Sequence, residues 1–207
     1  MNTTTLHLLG KIIRLQIQPS ALTLGERPNR YYDPAALLAV NELILTRNGA
    51  AARLPGGELV LDIHNAEHPQ NLNDEGENDL SINFTSHYDA IRAKFGASDH
   101  LFNGCGGENI LIEAGGQMTL ETVRGGVAVR TQAGEMAWLR QVIVAHPCNP
   151  FTRYAARQTE PESIKEALQF LDNGRRGFYC VVTDGEVAVR VGDEVFANQN
   201  LTGLKDL

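Results

Sequence analysis

The pattern of apolar and polar residues along the chain predicts a protein built mainly from short β-strands. Runs rich in Leu, Ile and Val recur through the sequence and are separated by glycine, proline, asparagine and aspartate, the residues that favour turns. These runs predict strands at residues 6–17, 42–46, 58–64, 80–84, 110–112, 118–123, 127–131, 138–145, 178–183 and 186–191. Asn48-Gly49 predicts a tight hairpin turn, and Asp184-Gly185 predicts another that joins the last two strands.

Helices are predicted at only two or three places, and all of them are short. One follows Asp33, a second lies between a capping box at 86–89 and Gly96, and a third covers 163–171. Many short strands with few helices indicate a β-rich α+β fold. A closed or partly closed barrel is the simplest arrangement, because it leaves few strand edges exposed.

The length and composition favour one domain of ordinary globular type. The chain has 207 residues, of which 43% are hydrophobic, and we expect a single domain over residues 1–207. The stretch 65–79 is acidic, rich in asparagine and poor in apolar residues, which predicts a long loop whose role the sequence leaves open.

The charge balance argues against general binding to nucleic acids. The 18 Lys and Arg residues are outnumbered by 25 Asp and Glu residues, for a formal net charge of −7. The chain therefore has no excess of cations with which to contact a phosphate backbone, although a local basic pocket for one small phosphate remains compatible with this balance. No segment approaches the roughly 20 apolar residues of a membrane span, so we expect a cytoplasmic protein without membrane contact. The oligomeric state is left open.

Cys148 is the residue with the strongest signal for chemistry. It follows an apolar strand that ends at His146, and prolines at 147 and 150 keep it out of a regular ladder. His146, Arg153 and Arg157 are cationic neighbours of the kind that favour a reactive thiolate. These residues predict a nucleophile or a metal ligand, with a structural thiol in a proline turn as the alternative. The other two cysteines, at 105 and 180, are predicted to be buried and inert.

Two further polar groups are candidates for binding. In a strand over 58–64, Asp62 and His64 would project from one face, and with His68 they could hold a divalent metal or simply face solvent. His87, at a predicted helix start, is predicted to pack or cap, or to lie where free backbone N–H groups hold a phosphate. The glycine-rich segment 104–109 predicts a tight turn or a close backbone approach; it leads into a strand, which excludes a dinucleotide-binding loop.

Three motifs in order resemble the MOSC domain, which is found at the C-terminus of molybdenum cofactor sulfurases, in amidoxime-reducing components and in small stand-alone bacterial proteins. The motifs are Gly107-Glu108-Asn109-Ile110, then Pro147-Cys148, then Gly177-Phe178-Tyr179 with Val191-Gly192-Asp193. The resemblance extends over roughly 10–196, which implies a domain core at about 10–196 followed by a C-terminal tail at 197–207. It implies a mostly antiparallel β-barrel of the MOSC type, built around a cleft.

The resemblance also implies a cofactor and a set of site residues. The cofactor is the molybdenum cofactor, and the thiol of Cys148 corresponds to the family's functional cysteine, as catalytic group and molybdenum ligand. Glu108 and Asn109 correspond to the family's signature and are expected to contact the cofactor. Asp62 and His64 stand where the family has an acid and a histidine-glycine segment, although the glycines are missing here. Candidates for the pterin phosphate are Arg153, Arg157 and the helix start near His87.

Two functions are compatible with this resemblance. The first is a molybdenum-cofactor oxidoreductase that reduces a small N-hydroxylated substrate, with electrons from a donor protein because the sequence has no flavin or iron–sulfur motif. The alternative is a non-redox persulfide carrier in which Cys148 receives sulfur from a cysteine desulfurase. The desulfurase half of the sulfurases, which carries pyridoxal phosphate, is not in this sequence, so we expect no pyridoxal phosphate on this chain alone. A divalent-metal protein with the same scaffold is the third hypothesis.

Overall fold

The computed structural model describes residues 5–73, 76–183 and 185–198. The strands within these ranges are β1 (Leu6–Ile17), β2 (Thr23–Leu24), β3 (Tyr31–Tyr32), β4 (Leu38–Val40), β5 (Glu42–Thr46), β6 (Gly49–Arg53), β7 (Leu59–Leu61), β8 (Leu80–Phe84), β9 (Ile110–Glu113), β10 (Val127–Arg130), β11 (Met136–Val144), β12 (Phe178–Val182), β13 (Val187–Arg190) and β14 (Glu194–Asn198). The α-helices are α1 (Thr85–Phe95), α2 (Leu120–Val123), α3 (Asn149–Ala156) and α4 (Pro161–Leu171). Short 3₁₀ turns lie at Pro34–Ala36 and Asp99–Leu101.

Seven strands close into a β-barrel. They follow one another in the order β14-β10-β11-β12-β8-β9-β1, and β1 pairs back with β14. All of these pairings are antiparallel except that of β8 with β9, which the helix α1 connects. The β-rich α+β fold and the mostly antiparallel barrel are therefore confirmed. Four helices lie in the described part of the chain, where two or three were predicted.

A smaller sheet and a short hairpin lie beside the barrel. The sheet has the order β13-β5-β6-β7, β4 pairs with β1, and β2 pairs with β3. The turn at Asn48-Gly49 joins β5 to β6, as predicted, with Thr46 opposite Gly49. None of the helices among the described residues has both the length and the apolar character needed to cross a membrane.

The barrel interior forms the main hydrophobic core. On β8, Leu80, Ile82 and Phe84 point into it and are fully buried. The alternating polar residues of β8 are buried too, because each has a hydrogen-bond partner: Ser81 bonds to Asn109 and Asn83 to His87. Both faces of β8 are therefore buried.

A second apolar cluster outside the barrel holds α3 in place. Phe151 of α3 is 1% exposed and meets the ring of Tyr32 edge-on, with 5.1 Å between ring centroids. Tyr88 of α1 and Leu171 of α4 complete this cluster. Because α3 begins directly after Cys148, the packing of Phe151 fixes the backbone that carries the thiol.

Three predicted elements are wrong. The predicted strand over 118–123 is the helix α2, because Thr119 and Thr122 form a reciprocal capping box that starts a helix there. The predicted strand over 58–64 ends at Leu61, after which Asp62 turns inward and is fully buried.

The predicted hairpin between the last two strands is also wrong. β13 pairs with β5, because both edges of β12 are already occupied, by β11 and by β8. The predicted turn residue Asp184 lies outside the described residues, as do residues 199–207 of the predicted tail.

Candidate functional site

A cleft of about 250 Å³ lies between the β2–β3 hairpin, the end of β1 and the start of β12. Its lining residues are Gln18, Ala21, Leu22, Thr23, Arg30, Tyr32, His64, Leu72, Ser81, Gly107, Cys148, Arg176 and Tyr179. The cleft therefore brings Cys148 and His64, two of the predicted site residues, to one place although they are far apart in the sequence.

Gly107 gives the cleft a wall made of backbone. Its φ is +86°, and a Cβ atom there would lie 2.8 Å from Cδ1 of Leu22, so a larger residue would be strained and crowded. The glycine-rich segment is tied to the hairpin by Tyr32, whose hydroxyl donates to the carbonyl oxygen of Cys105 at 2.7 Å. The close backbone approach expected for this segment is therefore present, at the cleft.

Cys148 stands where β11 gives way to α3. It is the N-cap residue of α3, with φ −93° and ψ 156°, and its carbonyl oxygen accepts hydrogen bonds from the backbone N–H and the hydroxyl of Thr152, both at 2.9 Å. The residue is exposed and its thiol is free, whereas Cys105 and Cys180 are buried. Cys148 is thus the accessible thiol of the described residues, held on a rigid helix start.

A second cavity of about 330 Å³ shares Cys148 with the cleft. It is lined by Arg27, Pro28, Arg30, Cys148, Asn149, Pro150 and Arg153, and we call it the arginine cavity. Neither this set nor the set that lines the cleft contains an aspartate or glutamate. In a chain of net charge −7, the surroundings of Cys148 are locally positive.

Arg176 supplies a further cation from the side of the barrel. It lines the cleft, donates a hydrogen bond to the carbonyl oxygen of Gly106, and lies over the ring of Phe151 at 4.6 Å from its centroid. Stacking and hydrogen bonding restrict the guanidinium to one orientation. A fixed cation of this kind suits an anionic or electron-rich ligand in the cleft.

Glu108 lies beneath the cleft and lines neither cavity. It is 1% exposed, and its Oε2 accepts a hydrogen bond from the Tyr88 hydroxyl at 2.8 Å. Its Oε1 has no hydrogen-bond partner among the described residues. Burial raises the pKa of this carboxyl from 4.5 to about 7, although the positive charge of Arg176 opposes the rise. Any part that Glu108 has in holding a ligand is therefore indirect.

Asp62, His64 and Asn109 form one hydrogen-bonded network. Oδ1 of Asp62 accepts from the backbone N–H of His64 at 3.0 Å and lies 2.9 Å from its ring Nδ1. Oδ2 accepts from the backbone N–H of Gln18 at 2.9 Å and from Nδ2 of Asn109 at 2.7 Å. The carboxylate can only accept from the ring, so Nδ1 of His64 carries a proton and Nε2 is the nitrogen left for a ligand.

Asn109 has a supporting position within this network. It is 2% exposed, and its Oδ1 accepts from both the backbone N–H and the hydroxyl of Ser81, at 2.9 and 3.0 Å. It joins β8 to the Asp62 turn and is absent from the lining of both cavities. Like Glu108, it has no direct access to a ligand in either cavity.

Three residues expected near Cys148 or its ligand point elsewhere. His87 is buried between Phe84 and Phe178, and its Nε2 donates to the carbonyl oxygen of Met118 at 2.8 Å. Arg157 ends α3 with φ 49° and lines neither cavity. His146 is exposed and pairs with Asp172 at 2.8 Å. Of the predicted phosphate contacts, the structure brings only Arg153 to Cys148.

The divalent-metal hypothesis fails at the same network. His68 donates from Nε2 to the carbonyl oxygen of Pro19 at 3.2 Å, and its Nδ1 accepts from the backbone N–H of Gln70 at 3.1 Å. Both of its ring nitrogens are used, and Asp62 is enclosed by donors. Within the described ranges, no group of three His, Cys, Asp or Glu side chains could hold a metal ion, so the predicted site at Asp62, His64 and His68 is wrong.

Sequence reasoning missed the arginines that surround the thiol. Arg27 and Arg30 belong to the β2–β3 hairpin, and Arg176 precedes β12, so none is near Cys148 along the chain. Tyr179, which lines the cleft, was noticed only as part of a family motif. The one signal that pointed to the arginines was their unusual density around Pro28 and before Gly177 in an acidic chain.

Comparison with known proteins assigns the chain to a family. The sequence matches the MOSC domain over residues 62–196, which is more than half of the chain, and no curated protein matches it. The crystal structure of the YuaD protein from Bacillus subtilis is similar, with a TM-score of 0.57, 16% identity, and 95% of this chain and 100% of that chain covered. A crystal structure of a hypothetical protein gives a TM-score of 0.55 at 15% identity, with 97% and 72% covered.

At these identities the two solved structures show a shared fold and nothing about activity. The family match covers β8 to β14, and it includes both the cleft residues Gly107 and Arg176 and the exposed Cys148. The barrel, the cleft and the sequence match agree: the chain belongs to the MOSC domain family.

Proposed function

We propose that the chain binds the molybdenum cofactor in the cleft, with the Cys148 thiolate as protein ligand of the metal, and that the loaded protein reduces small N-hydroxylated compounds. One observation carries this proposal: an exposed, unpaired thiol at a rigid helix start borders two cavities that contain arginines and no carboxylates. Membership of the MOSC domain family supports the choice of this cofactor.

The residues around the cleft fit such a cofactor. Molybdenum prefers soft sulfur donors, and Cys148 offers one at the rim. Arg176 would hold the phosphate of the pterin by charge-assisted hydrogen bonds. The backbone at Gly107, which no Cβ obstructs, and the polar side chain of Gln18 would meet the edges of a flat ring system. When bound, the molybdenum cofactor would supply a two-electron redox centre.

In this proposal the side chains of the protein deliver the protons that the reaction consumes and keep side reactions out of the site. Reduction of an N–OH group breaks the N–O bond, forms an N–H bond and releases water, and it consumes two electrons and two protons. His64, whose Nδ1–H is held by Asp62, would take up a second proton on Nε2 and pass that proton to the departing oxygen. The electrons would come from a separate donor protein.

The test is the molybdenum content of protein expressed with molybdate. We expect the native chain to retain molybdenum and a pterin, and Cys148→Ser to lose most of the metal. Cys180→Ala, which removes a thiol from the barrel core, is the matched control and should keep it. An equal metal content in Cys148→Ser and the control would refute Cys148 as the ligand.

A second test separates metal binding from proton transfer. His64→Gln should keep the molybdenum content, because the residue is not a ligand in this proposal. It should slow reduction of an N-hydroxylated substrate about 10²-fold, the usual scale for losing a positioned acid, and change the pH profile. Unchanged turnover would remove His64 from the reaction.

The exposure of Cys148 also favours a second function, that of a persulfide carrier. The thiolate of Cys148 would attack the outer sulfur of a desulfurase persulfide, so that one S–S bond forms as the other breaks and the donor thiolate leaves, with no net oxidation. Mass spectrometry after incubation with a cysteine desulfurase and cysteine should find 1 added sulfur atom, about 32 Da, on Cys148. Sulfur on the native chain that persists in Cys148→Ser would refute this function.

A further inference from the structure

Three arginines of the arginine cavity have no partner of their own. Arg27, Arg30 and Arg153 are exposed, and in the described part of the chain none of their side chains forms an ion pair or a hydrogen bond. Two other exposed arginines are paired, Arg130 with Glu194 and Arg190 with Glu42, whereas Arg47 and Arg157 are unpaired but stand apart from any cluster at a cavity. Because the chain has more acidic than basic residues, three unpaired arginines at one cavity are unexpected, and packing does not explain them.

The start of α3 adds to the positive potential in this cavity. Asn149 and Pro150, the first residues of the helix, line it, and the first turn of a helix presents N–H groups and the positive end of its dipole. Arginine offers a planar fork of donors that matches carboxylate and phosphate oxygens. Cations from the hairpin and from α3 therefore face one volume of about 330 Å³.

We propose that the arginine cavity binds a carboxylate or phosphate group of the small molecule that reacts beside Cys148. This inference rests on the proposed function for the reaction, and it adds the class of substrate: an anionic compound rather than a neutral one. The cofactor occupies the cleft, with Arg176, and the substrate's anionic group occupies the arginine cavity. Cys148 borders both volumes.

The first experiment compares two alkylating reagents on the full chain without cofactor. Iodoacetate carries a carboxylate and iodoacetamide does not, and with either one the thiolate forms an S–C bond while iodide leaves. Cys105 and Cys180 are buried, so Cys148 is labelled, and peptide mass spectrometry identifies the site. The ratio of the two rates cancels the intrinsic reactivity of the thiolate and reports attraction of the anion alone.

If the arginine cavity attracts anions, the ratio of the iodoacetate rate to the iodoacetamide rate depends on its arginines. Arg30→Gln and Arg153→Gln should each lower the iodoacetate-to-iodoacetamide ratio about three- to tenfold, the size of losing one partly screened charge contact. Arg47→Gln removes an exposed charge in the turn between β5 and β6, outside both cavities, and should leave the ratio unchanged. An equal ratio in all four proteins would overturn the proposal.

A second experiment distinguishes the substrate's anion from the cofactor's phosphate. Calorimetry should detect inorganic phosphate binding to both the cofactor-free and the molybdenum-loaded chain, and Arg153→Gln should weaken it in both. Phosphate binding that disappears on loading would overturn the assignment to substrate, because the cofactor's own phosphate would then fill the cavity. If the chain takes up no molybdenum, the proposed function fails, while the alkylation ratio still decides whether the cavity attracts anions.

Discussion

Replacing Glu108 with Gln should change how the stability of the protein depends on pH. Glu108 is enclosed beneath the cleft, and one of its oxygens has no hydrogen-bond partner among the described residues. Gln has nearly the same shape, accepts the hydrogen bond from Tyr88, and carries no charge at any pH. The variant therefore imitates the protonated carboxyl.

The size of the effect follows from the raised pKa of Glu108. Its pKa is about 7 in the folded chain, against 4.5 without burial. The folded state thus binds more protons than the unfolded state between these values, and the stability it gains below pH 4.5 is lost as pH rises through 7. A rise of this size changes the free energy of unfolding by about 3 kcal/mol over the whole titration. Roughly 2–3 kcal/mol of this decrease falls between pH 5 and pH 8.

Urea unfolding at pH 5 and at pH 8 measures this change, with the fluorescence of Trp138 on β11 as the signal. From pH 5 to pH 8 the free energy of unfolding should fall by about 2–3 kcal/mol more in the native chain than in Glu108→Gln. This corresponds to a difference of about 1 M in the urea midpoint. Other groups titrate alike in both proteins and cancel in the comparison. Parallel pH profiles for the two proteins would refute a buried carboxyl of raised pKa.

The same unfolding assay, run on the purified variants at pH 7, checks three further changes. Asn109→Ala removes a donor to the buried carboxylate of Asp62 and should cost about 2–4 kcal/mol; a loss under 1 kcal/mol would contradict the supporting role given to that network. Gly107→Ala places a methyl group against Leu22 at a positive φ, so it should lower the free energy of unfolding by about 1–3 kcal/mol and also lower the molybdenum content. A variant as stable as the native chain would mean that the loop shifts to accept the methyl group. His146→Ala removes an exposed pair and should change stability by less than about 0.5 kcal/mol, so a large loss would show a contact that the geometry does not contain.

The sequence predicted well those elements whose signals are local. The bounds of β5 and β8 match the predicted ranges, because each is an apolar run closed at both ends by a turn or a helix start. The prediction failed at 118–123, where a capping box between two threonines outweighs the apolar pattern. It also failed for β13, whose partner is chosen by which strand edges are free, a property of the whole sheet.

The candidate site was predictable in part for the same reason. The position of Cys148 between two prolines is a local signal, and the structure has it exposed. Arg27 and Arg30 reach the thiol only because the β2–β3 hairpin folds over the start of α3, a contact between distant parts of the chain. Glu108 was predicted to touch a ligand, and nothing local in its sequence indicates that the fold turns it beneath the cleft.

The closure of the barrel by β1 and β14 has a consequence for folding during translation. Leu6 lies opposite Asn198, so a ribosome must synthesise β14 before the first strand can find its partner on that side. Until then the nascent chain carries an open edge that can recruit other chains, and contacts this distant in sequence form slowly. We therefore expect a growing chain that depends on chaperones until β14 has left the ribosome.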